Sequence, residues 1–437
     1  MNRFATALFL LLIAALPVRA EIDIQTVTSP GGLDAWLVEE HSIPFVALEI
    51  RFRGGTSLDA PGKRGAVNLM TGLLEEGAAG MDARAYAAAR EALAAHFRFN
   101  AGDDSLSVSA RALTENRDEA MALLHAALVE PRFDADAIER VRGQVLAHLK
   151  SRATDPDALA SDAFNAMAYG DHPYGSYDSG TPESVAALTR DDILDAYRGT
   201  IALDRVYIAA VGDIAPDELG ALIDGLLGDL PATGAPMPED VAFGASGGLS
   251  ITHFPSPQSV AQFGHRGIGI DSPDFFAAYI LNTILGGSGF NSRLMDEVRK
   301  KRGLTYGIRT YLVDADRSEA VVGRVSTVNP RMGETVRVVR DEWEKIATDG
   351  VTAEELAAAK TYLTGAYPLR FDGNAPIARI LVAMQLDERS PDYVKTRNAQ
   401  IDAVTLEETN RVAAELYRPE ALRFVIVGEP EGLEGTD

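Results

Sequence analysis

The side chains most able to do chemistry in this sequence lie on one predicted helix. Residues 66 to 80 read AVNLMTGLLEEGAAG, in which Asn68, Thr71, Gly72 and Glu75 recur at helical spacing. Residues at i, i+3, i+4 and i+7 share one face of a helix, and such a face can hold a metal ion when it carries suitable ligands. The face is therefore either an ordinary solvated surface or the place of a present or former metal site.

Other reactive groups are scarce. The sequence has no cysteine, which excludes disulfides, thiolate nucleophiles and zinc-thiolate sites. No nucleophile-elbow pattern appears. Apart from His148, the histidines are scattered without ligand spacing and are expected to be structural; they are His41, His96, His125, His172, His253 and His265.

An internal duplication supplies the elements that must position these residues. Residues 185 to 214 align without a gap with residues 401 to 430. In each copy a threonine, Thr189 or Thr405, precedes acidic residues, as an N-cap precedes the first turn of a helix. Each copy then reaches a tyrosine, a turn and a β-branched run that ends in Val-Gly. The pattern predicts a helix, a turn and a buried strand in both copies.

The two copies divide the chain into homologous halves. Residues 230 to 248, LPATGAPMPEDVAFGASGG, have the composition of a linker. We expect an N-terminal domain at 21–230, a linker at 231–248 and a C-terminal domain at 249–437. Strands and helices do not alternate strictly within a half, which favours two α+β sandwiches with mixed sheets over a parallel α/β sheet.

The first twenty residues, MNRFATALFLLLIAALPVRA, are typical of a secretory signal peptide cleaved after Ala20. We expect the mature chain to be exported, soluble and periplasmic, with no transmembrane segment. It has 39 Lys and Arg against 64 Asp and Glu, a net charge of −25. Phosphate backbones would be repelled, so nucleic acid is a poor candidate partner.

Five sequence stretches resemble the pitrilysin and insulinase type zinc metallopeptidases, especially the short-chain members related to the mitochondrial processing peptidase. They are PRFDADAIERVRGQVLAHLK (131–150), HPYG (172–175), LTRDDILDAY (188–197), VGD (211–213) and LGGSGFNSRLMDEVRKKRGLTYGI (285–308). The last stretch is the most specific. The resemblance covers nearly the whole mature chain.

The resemblance implies a metal site that has been lost. Active members carry His-x-x-Glu-His, two zinc ligands and a general base, where this chain has Asn68, Thr71 and Gly72. The family's third ligand falls on His148. One ligand is not a site, and neither Asn68 nor Glu75 or Glu76 makes up the set. We therefore expect no metal in this chain, although a different metal set that uses His148 remains an alternative.

The second half keeps two residues that the family uses. Arg299 and Tyr306 match an arginine and a tyrosine that, in related peptidases, reach across to the zinc site of the opposing half. There the arginine holds substrate carbonyls and the tyrosine hydroxyl stabilises an oxyanion. The alternative is a solvated basic helix end and a core aromatic side chain.

Three glycines, Gly286, Gly287 and Gly289, precede this region and could let a peptide backbone approach closely. They lack the Gly-Lys-Ser/Thr ending of a phosphate loop. A plain turn between two helices is the competing interpretation.

The resemblance thus implies a non-catalytic subunit of an exported heterodimeric peptidase. A zinc-bearing paralogous partner would supply the metal, and this chain would bind peptide substrate and contribute Arg299 and Tyr306 to the partner's site. The alternative is a binding or scaffold protein of the cell envelope that has the peptidase fold and no role in hydrolysis.

Overall fold

The structure is a computed structural model that describes residues 22–287 and 291–436. Two mixed sheets, one from each half, form its frame. The first has the order β1-β2-β8-β3-β7-β6. Its strands are β1 (Gln25–Thr28), β2 (Asp34–Glu39), β3 (Phe45–Arg53), β6 (His96–Ala101), β7 (Ser105–Leu113) and β8 (Val206–Gly212), and a small ribbon pairs β4 (Gly77–Ala78) with β5 (Met81–Asp82).

The second sheet has the order β11-β12-β10-β13-β9. Its strands are β9 (Leu249–His253), β10 (Gln258–Arg266), β11 (Ile308–Ala315), β12 (Ser318–Val328) and β13 (Arg423–Gly428). Apart from β1, the order repeats that of the first sheet. Each sheet also has one parallel pair, β2 with β8 and β9 with β13. The repeated topology confirms the predicted pair of homologous α+β sandwiches.

The first half also contains a set of α-helices. They are α1 (Ala66–Leu73), α2 (Ala83–Ala92), α3 (Arg117–Val129), α4 (Ala135–Arg152), α5 (Pro156–Tyr169), α6 (Pro182–Ala187), α7 (Arg190–Thr200) and α8 (Pro216–Leu227). Thr189 caps α7, because its hydroxyl accepts the backbone N–H of Asp192.

The second half has a similar set. Its helices are α9 (Phe275–Asn282), α10 (Met332–Asp349), α11 (Ala353–Ala366), α12 (Asn374–Leu386), α13 (Tyr393–Ala403) and α14 (Leu406–Leu416), with π-helical turns at Thr283–Gly287 and Met295–Lys300. Thr405 caps α14 as Thr189 caps α7, accepting the N–H of Glu408. Both predicted N-caps are confirmed.

Each sheet presents one face to the core of its own half. On β3 the core side chains are Leu48, Ile50 and Phe52, which alternate with residues of the opposite face. On β10 the corresponding alternation brings Ala261 and Phe263 into a second, separate core.

The opposite face of each sheet is covered in part by a helix of the other half. Helix α5 packs on β10 and β13, where Phe164 and Ala168 contact Val425. Helix α12 packs on β3 and β8, where Leu381 and Val382 share a cluster with Trp36. Each half therefore packs one helix on the sheet of the other half, and these two apolar contacts hold the halves together.

The hairpin tips of the two sheets also meet at this junction. Asp104, between β6 and β7, accepts a hydrogen bond at 3.2 Å from the backbone N–H of Asp316, between β11 and β12. The Arg53 guanidinium lies 2.9 Å from the Asp316 carboxylate. Burial raises the pKa of Asp104, whose carboxylate also accepts the Tyr174 hydroxyl.

Residues 231–248 form neither helix nor strand between the two halves. The predicted signal peptide, residues 1–20, lies outside the described residues. Within the described ranges, no helix has both the length and the apolar character needed to cross a bilayer.

Candidate functional site

A buried carboxylate fixes the start of helix α1. The Asp59 side chain is 2% exposed and accepts the backbone N–H groups of Gly65 and Val67, both at 2.8 Å, and Arg64 lies 3.4 Å away. Burial raises the pKa of Asp59 to about 6, against the lowering effect of these hydrogen bonds. Sequence reasoning missed this cap, because Asp59 lies six positions before Gly65 and reaches α1 only through the folded loop.

The three positions that the resemblance assigned to zinc chemistry lie together on α1. Thr71 is buried, and its hydroxyl donates to the Val67 carbonyl of the preceding turn at 2.7 Å. Asn68 is half-buried, and Gly72 is exposed and offers no side chain. This face therefore presents at most one weak ligand, the Asn68 amide, since zinc prefers thiolate, imidazole and carboxylate groups.

Helix α4 approaches α1 closely at Gly72. A Cβ placed on Gly72 would lie 3.0 Å from Cγ1 of Val141. A side chain at this position would therefore require Val141 to shift, and the contact between the two helices suits glycine.

The two nearby carboxylates already have partners. Glu75 pairs with Arg90 and Glu76 with Arg140. Burial raises the pKa of Glu75, and the Arg90 guanidinium opposes that rise. Neither carboxylate therefore lies free for a metal ion.

His148 is exposed near the end of α4. Its Nε2 lies 2.9 Å from the Tyr177 hydroxyl, and the guanidinium of Arg152 lies 3.6 Å from the centre of the Tyr177 ring. Among the described residues, no group of three or more His, Asp or Glu side chains is placed to hold a metal. The local role of His148 that the structure shows is a hydrogen bond to a tyrosine.

Arg299 and Tyr306 lie on either side of the turn that leads into β11. Arg299 is half-buried in the π-helical turn Met295–Lys300. Tyr306 is 89% exposed in the loop before Ile308. An aromatic ring so open to solvent is not a core residue, so its phenol is accessible to another molecule.

Two of the three predicted glycines lie at close approaches within the fold. A Cβ on Gly286 would lie 2.4 Å from the Thr310 hydroxyl, and one on Gly287 would lie 2.9 Å from the Asn282 amide. Packing against β11 and α9 thus requires both. Gly289 lies outside the described residues.

The fold and this site define a class: a two-domain α+β chain with a repeated sheet topology, in which helix α1 packs against the edge strand β6. Two family models match the sequence. Residues 36–181 match the model described as insulinase, peptidase family M16, and residues 187–363 match the model described as the M16 inactive domain. The chain belongs to the M16 insulinase family.

Curated relatives have differing descriptions. A "non-peptidase homolog" of Helicobacter pylori is 27% identical over 335 residues, 76% of this chain and 77% of that protein. An "uncharacterized zinc protease" of Mycobacterium tuberculosis is 28% identical over 399 residues, 89% of this chain and 90% of that protein. A probable mitochondrial-processing peptidase subunit beta of Schizosaccharomyces pombe is 24% identical over 432 residues, 94% of this chain and 92% of that protein.

Solved structures share the fold. A Pseudomonas fluorescens structure, titled as a peptidase M16 inactive domain, is 29% identical with a TM-score of 0.88, over 95% of this chain and 100% of that chain. A protease from Helicobacter pylori superposes with a TM-score of 0.85 at 15% identity, over 93% of this chain and 99% of that chain, and supports the fold alone.

Proposed function

We propose that this chain is a non-catalytic subunit of an exported heterodimeric zinc peptidase. One observation carries the proposal: the α1 face has the Asn68 amide, a Thr71 hydroxyl bonded to its own helix and no side chain at Gly72. This set can neither hold zinc nor activate a water molecule. Hydrolysis would depend on zinc held by a paralogous partner chain.

The exposed phenol of Tyr306 supports a contribution to that partner's site. A neutral donor aimed at the oxyanion of a tetrahedral intermediate stabilises the transition state without a change of protonation. Arg299 would hold a carbonyl of the bound peptide, since a guanidinium offers donors in a fixed fork. The relatives described as a non-peptidase homolog and as a processing-peptidase subunit are consistent with such a division of labour.

Reconstitution with a zinc-bearing paralogue tests the proposal. The chain alone should not cleave a fluorogenic peptide, and the mixture should. Tyr306→Phe should lower kcat of the mixture by about a hundredfold, as loss of one oxyanion donor does in other peptidases. Tyr362→Phe is the matched control, because Tyr362 is also exposed, at 51%, on helix α11.

Three results would count against the proposal. Unchanged activity of the Tyr306→Phe and Arg299→Ala mixtures would remove the role assigned to this pair. Purification without any paralogue, with no stimulation on mixing, would favour the scaffold protein of the envelope. Peptide cleavage by the chain alone, abolished by His148→Ala, would favour a separate metal set.

A further inference from the structure

The face of the first sheet that points away from its core is only partly covered. Helix α12 packs over β2, β8 and β3. On the last strand of the sheet, β6, the outward side chains His96, Arg98 and Asn100 are all exposed. Arg111 of the neighbouring strand β7 is exposed as well, so the open part of this face is the surface of β6 and the adjoining end of β7.

Arg98 and Arg111 lie on this open surface, and Arg51 of β3 and Arg379 of α12 lie beside it. Together we call these four arginines the basic strip. Arg98 pairs across the strands with Ser109, which pairs in turn with Glu49, and Arg111 pairs with His96. The Arg379 guanidinium lies 3.9 Å from the Glu49 carboxylate. The negative charge of Glu49 also acts on Arg51. The strip thus crosses three neighbouring strands and takes one residue from α12.

The basic strip has little counter-charge. Glu49 is its one buried carboxylate, held at 2.8 Å by the Ser109 hydroxyl, and burial raises the pKa of Glu49. Within the described ranges, no ion pair or hydrogen bond engages the side chains of Arg98 or Arg111. The Nε of Arg51 is buried without a partner there.

The charge of the basic strip is opposite in sign to the net charge of the molecule. The whole sequence has a net charge of −23, yet the strip sets four guanidinium groups against a single acid. A local excess of one sign of charge attracts ligands of the other sign and repels like charge. We propose that the basic strip binds an acidic segment of an extended peptide, which names the substrate class of the function proposed above and rests on it.

An extended peptide fits the strip in spacing as well as in charge. Arg98 and Arg111 are diagonal neighbours on adjacent strands, about 7–8 Å apart. In an extended peptide, side chains at i and i+2 point the same way and lie about 6.6 Å apart. Acidic residues at alternate positions would therefore meet both arginines, each able to form a bidentate pair with a carboxylate.

Fluorescence anisotropy on the isolated mature chain tests this proposal without partner or metal. The probe is a dye-labelled twelve-residue peptide with glutamate at alternate positions, compared with the same peptide carrying glutamine. The glutamate peptide should bind more tightly, and raised salt should weaken it. Arg98→Ala with Arg111→Ala should weaken binding about tenfold, the loss of two exposed charge contacts.

Two further variants separate the basic strip from general charge. Arg84→Ala with Arg337→Ala removes the same charge from exposed positions on α2 and α10 and should leave binding unchanged. Arg98→Lys with Arg111→Lys keeps the charge but not the bidentate geometry and should recover part of the binding, and its circular dichroism melting curve checks that the fold is intact.

Several outcomes would overturn the proposal. Absence of binding, equal binding of the glutamine peptide, or an equal loss in the Arg84 and Arg337 variant would each do so. Tighter binding of a single-stranded oligonucleotide than of the acidic peptide would do so as well. Because no hydrolysis is measured, failure here is distinct from failure of the reconstitution experiment.

Discussion

A group of buried polar side chains sets the core of the second half apart from that of the first. His265, Trp343 and Tyr417 have ring centroids within 5.6 to 6.0 Å of one another. His265 is the penultimate residue of β10, as Phe52 is of β3. The Nδ1 of His265 donates to the Arg266 carbonyl at 2.7 Å, and its Nε2 has no partner within the described chain. The imidazole is therefore buried in its neutral form.

Because of His265, the free energy of unfolding should decrease as the pH is lowered. Burial lowers the pKa of His265 to about 4, below the value of about 6.5 in an unfolded chain. Between these values the unfolded chain binds a proton that the folded chain does not. Above pH 6.5 the protonation of His265 therefore costs the folded state nothing. As the pH falls towards 4, the free energy of unfolding decreases by about 3 kcal/mol in all.

Urea unfolding of the wild type and of His265→Phe at pH 7 and pH 5 measures this effect. We expect the wild type to lose about 2 kcal/mol more than the variant between these two values. Phenylalanine, the residue at the corresponding place in β3, cannot take up a proton. Equal losses in the two proteins would show that His265 does not titrate in this way.

At the scale of elements, the loop that holds Asp59 determines where helix α1 begins. The two backbone N–H groups that Asp59 accepts are unpaired donors of the first helical turn. Asp59→Ala should lower the free energy of unfolding by about 1–3 kcal/mol, because buried donors lose their acceptor. Asp59→Asn keeps one acceptor, and its free energy of unfolding should lie between those of the wild type and Asp59→Ala.

Chemical denaturation of the three proteins at pH 7.5 gives this comparison. A matched control is Asp155→Ala at the start of α5, where the cap accepts one N–H and is more exposed. A loss for Asp59→Ala no larger than for this control would mean that the buried cap contributes little.

The sequence predicts these elements unevenly, for physical reasons. The caps at Thr189 and Thr405 follow from local chemistry, because a threonine before acidic residues satisfies the first turn by itself. The spacing of Asn68, Thr71 and Gly72 likewise requires only a helix. The Asp59 cap could not be predicted, since it depends on a loop that folds back. The basic strip depends on strand register, which no local pattern specifies.

At the scale of the whole molecule, the exchanged helices couple the two halves. Sequence patterns indicated two homologous domains, and they could not indicate that α5 and α12 each cover the other half's sheet. Which sheet they cover depends on contacts between residues far apart in the chain, such as Phe164 and Val425.

Phe164→Ala tests this coupling. Phe164 is 1% exposed and lies against β10 of the other half, where a Cβ on Gly264 would lie 3.0 Å from its ring. The truncation should cost about 3–5 kcal/mol and lower the melting temperature of the whole chain in a single calorimetric transition. Met167→Ala, on the same helix but 40% exposed, should change it little. Two separate transitions, only one of them shifted, would mean that the halves unfold independently.

The absence of a metal-binding set on α1 is the claim on which the assignment to a non-catalytic subunit depends. Zinc titration of the purified mature chain by isothermal calorimetry, with elemental analysis of the same sample, tests it most directly. We predict no stoichiometric zinc and no saturable binding, with His148→Ala behaving as the wild type does. One zinc ion per chain, lost in His148→Ala, would contradict the account.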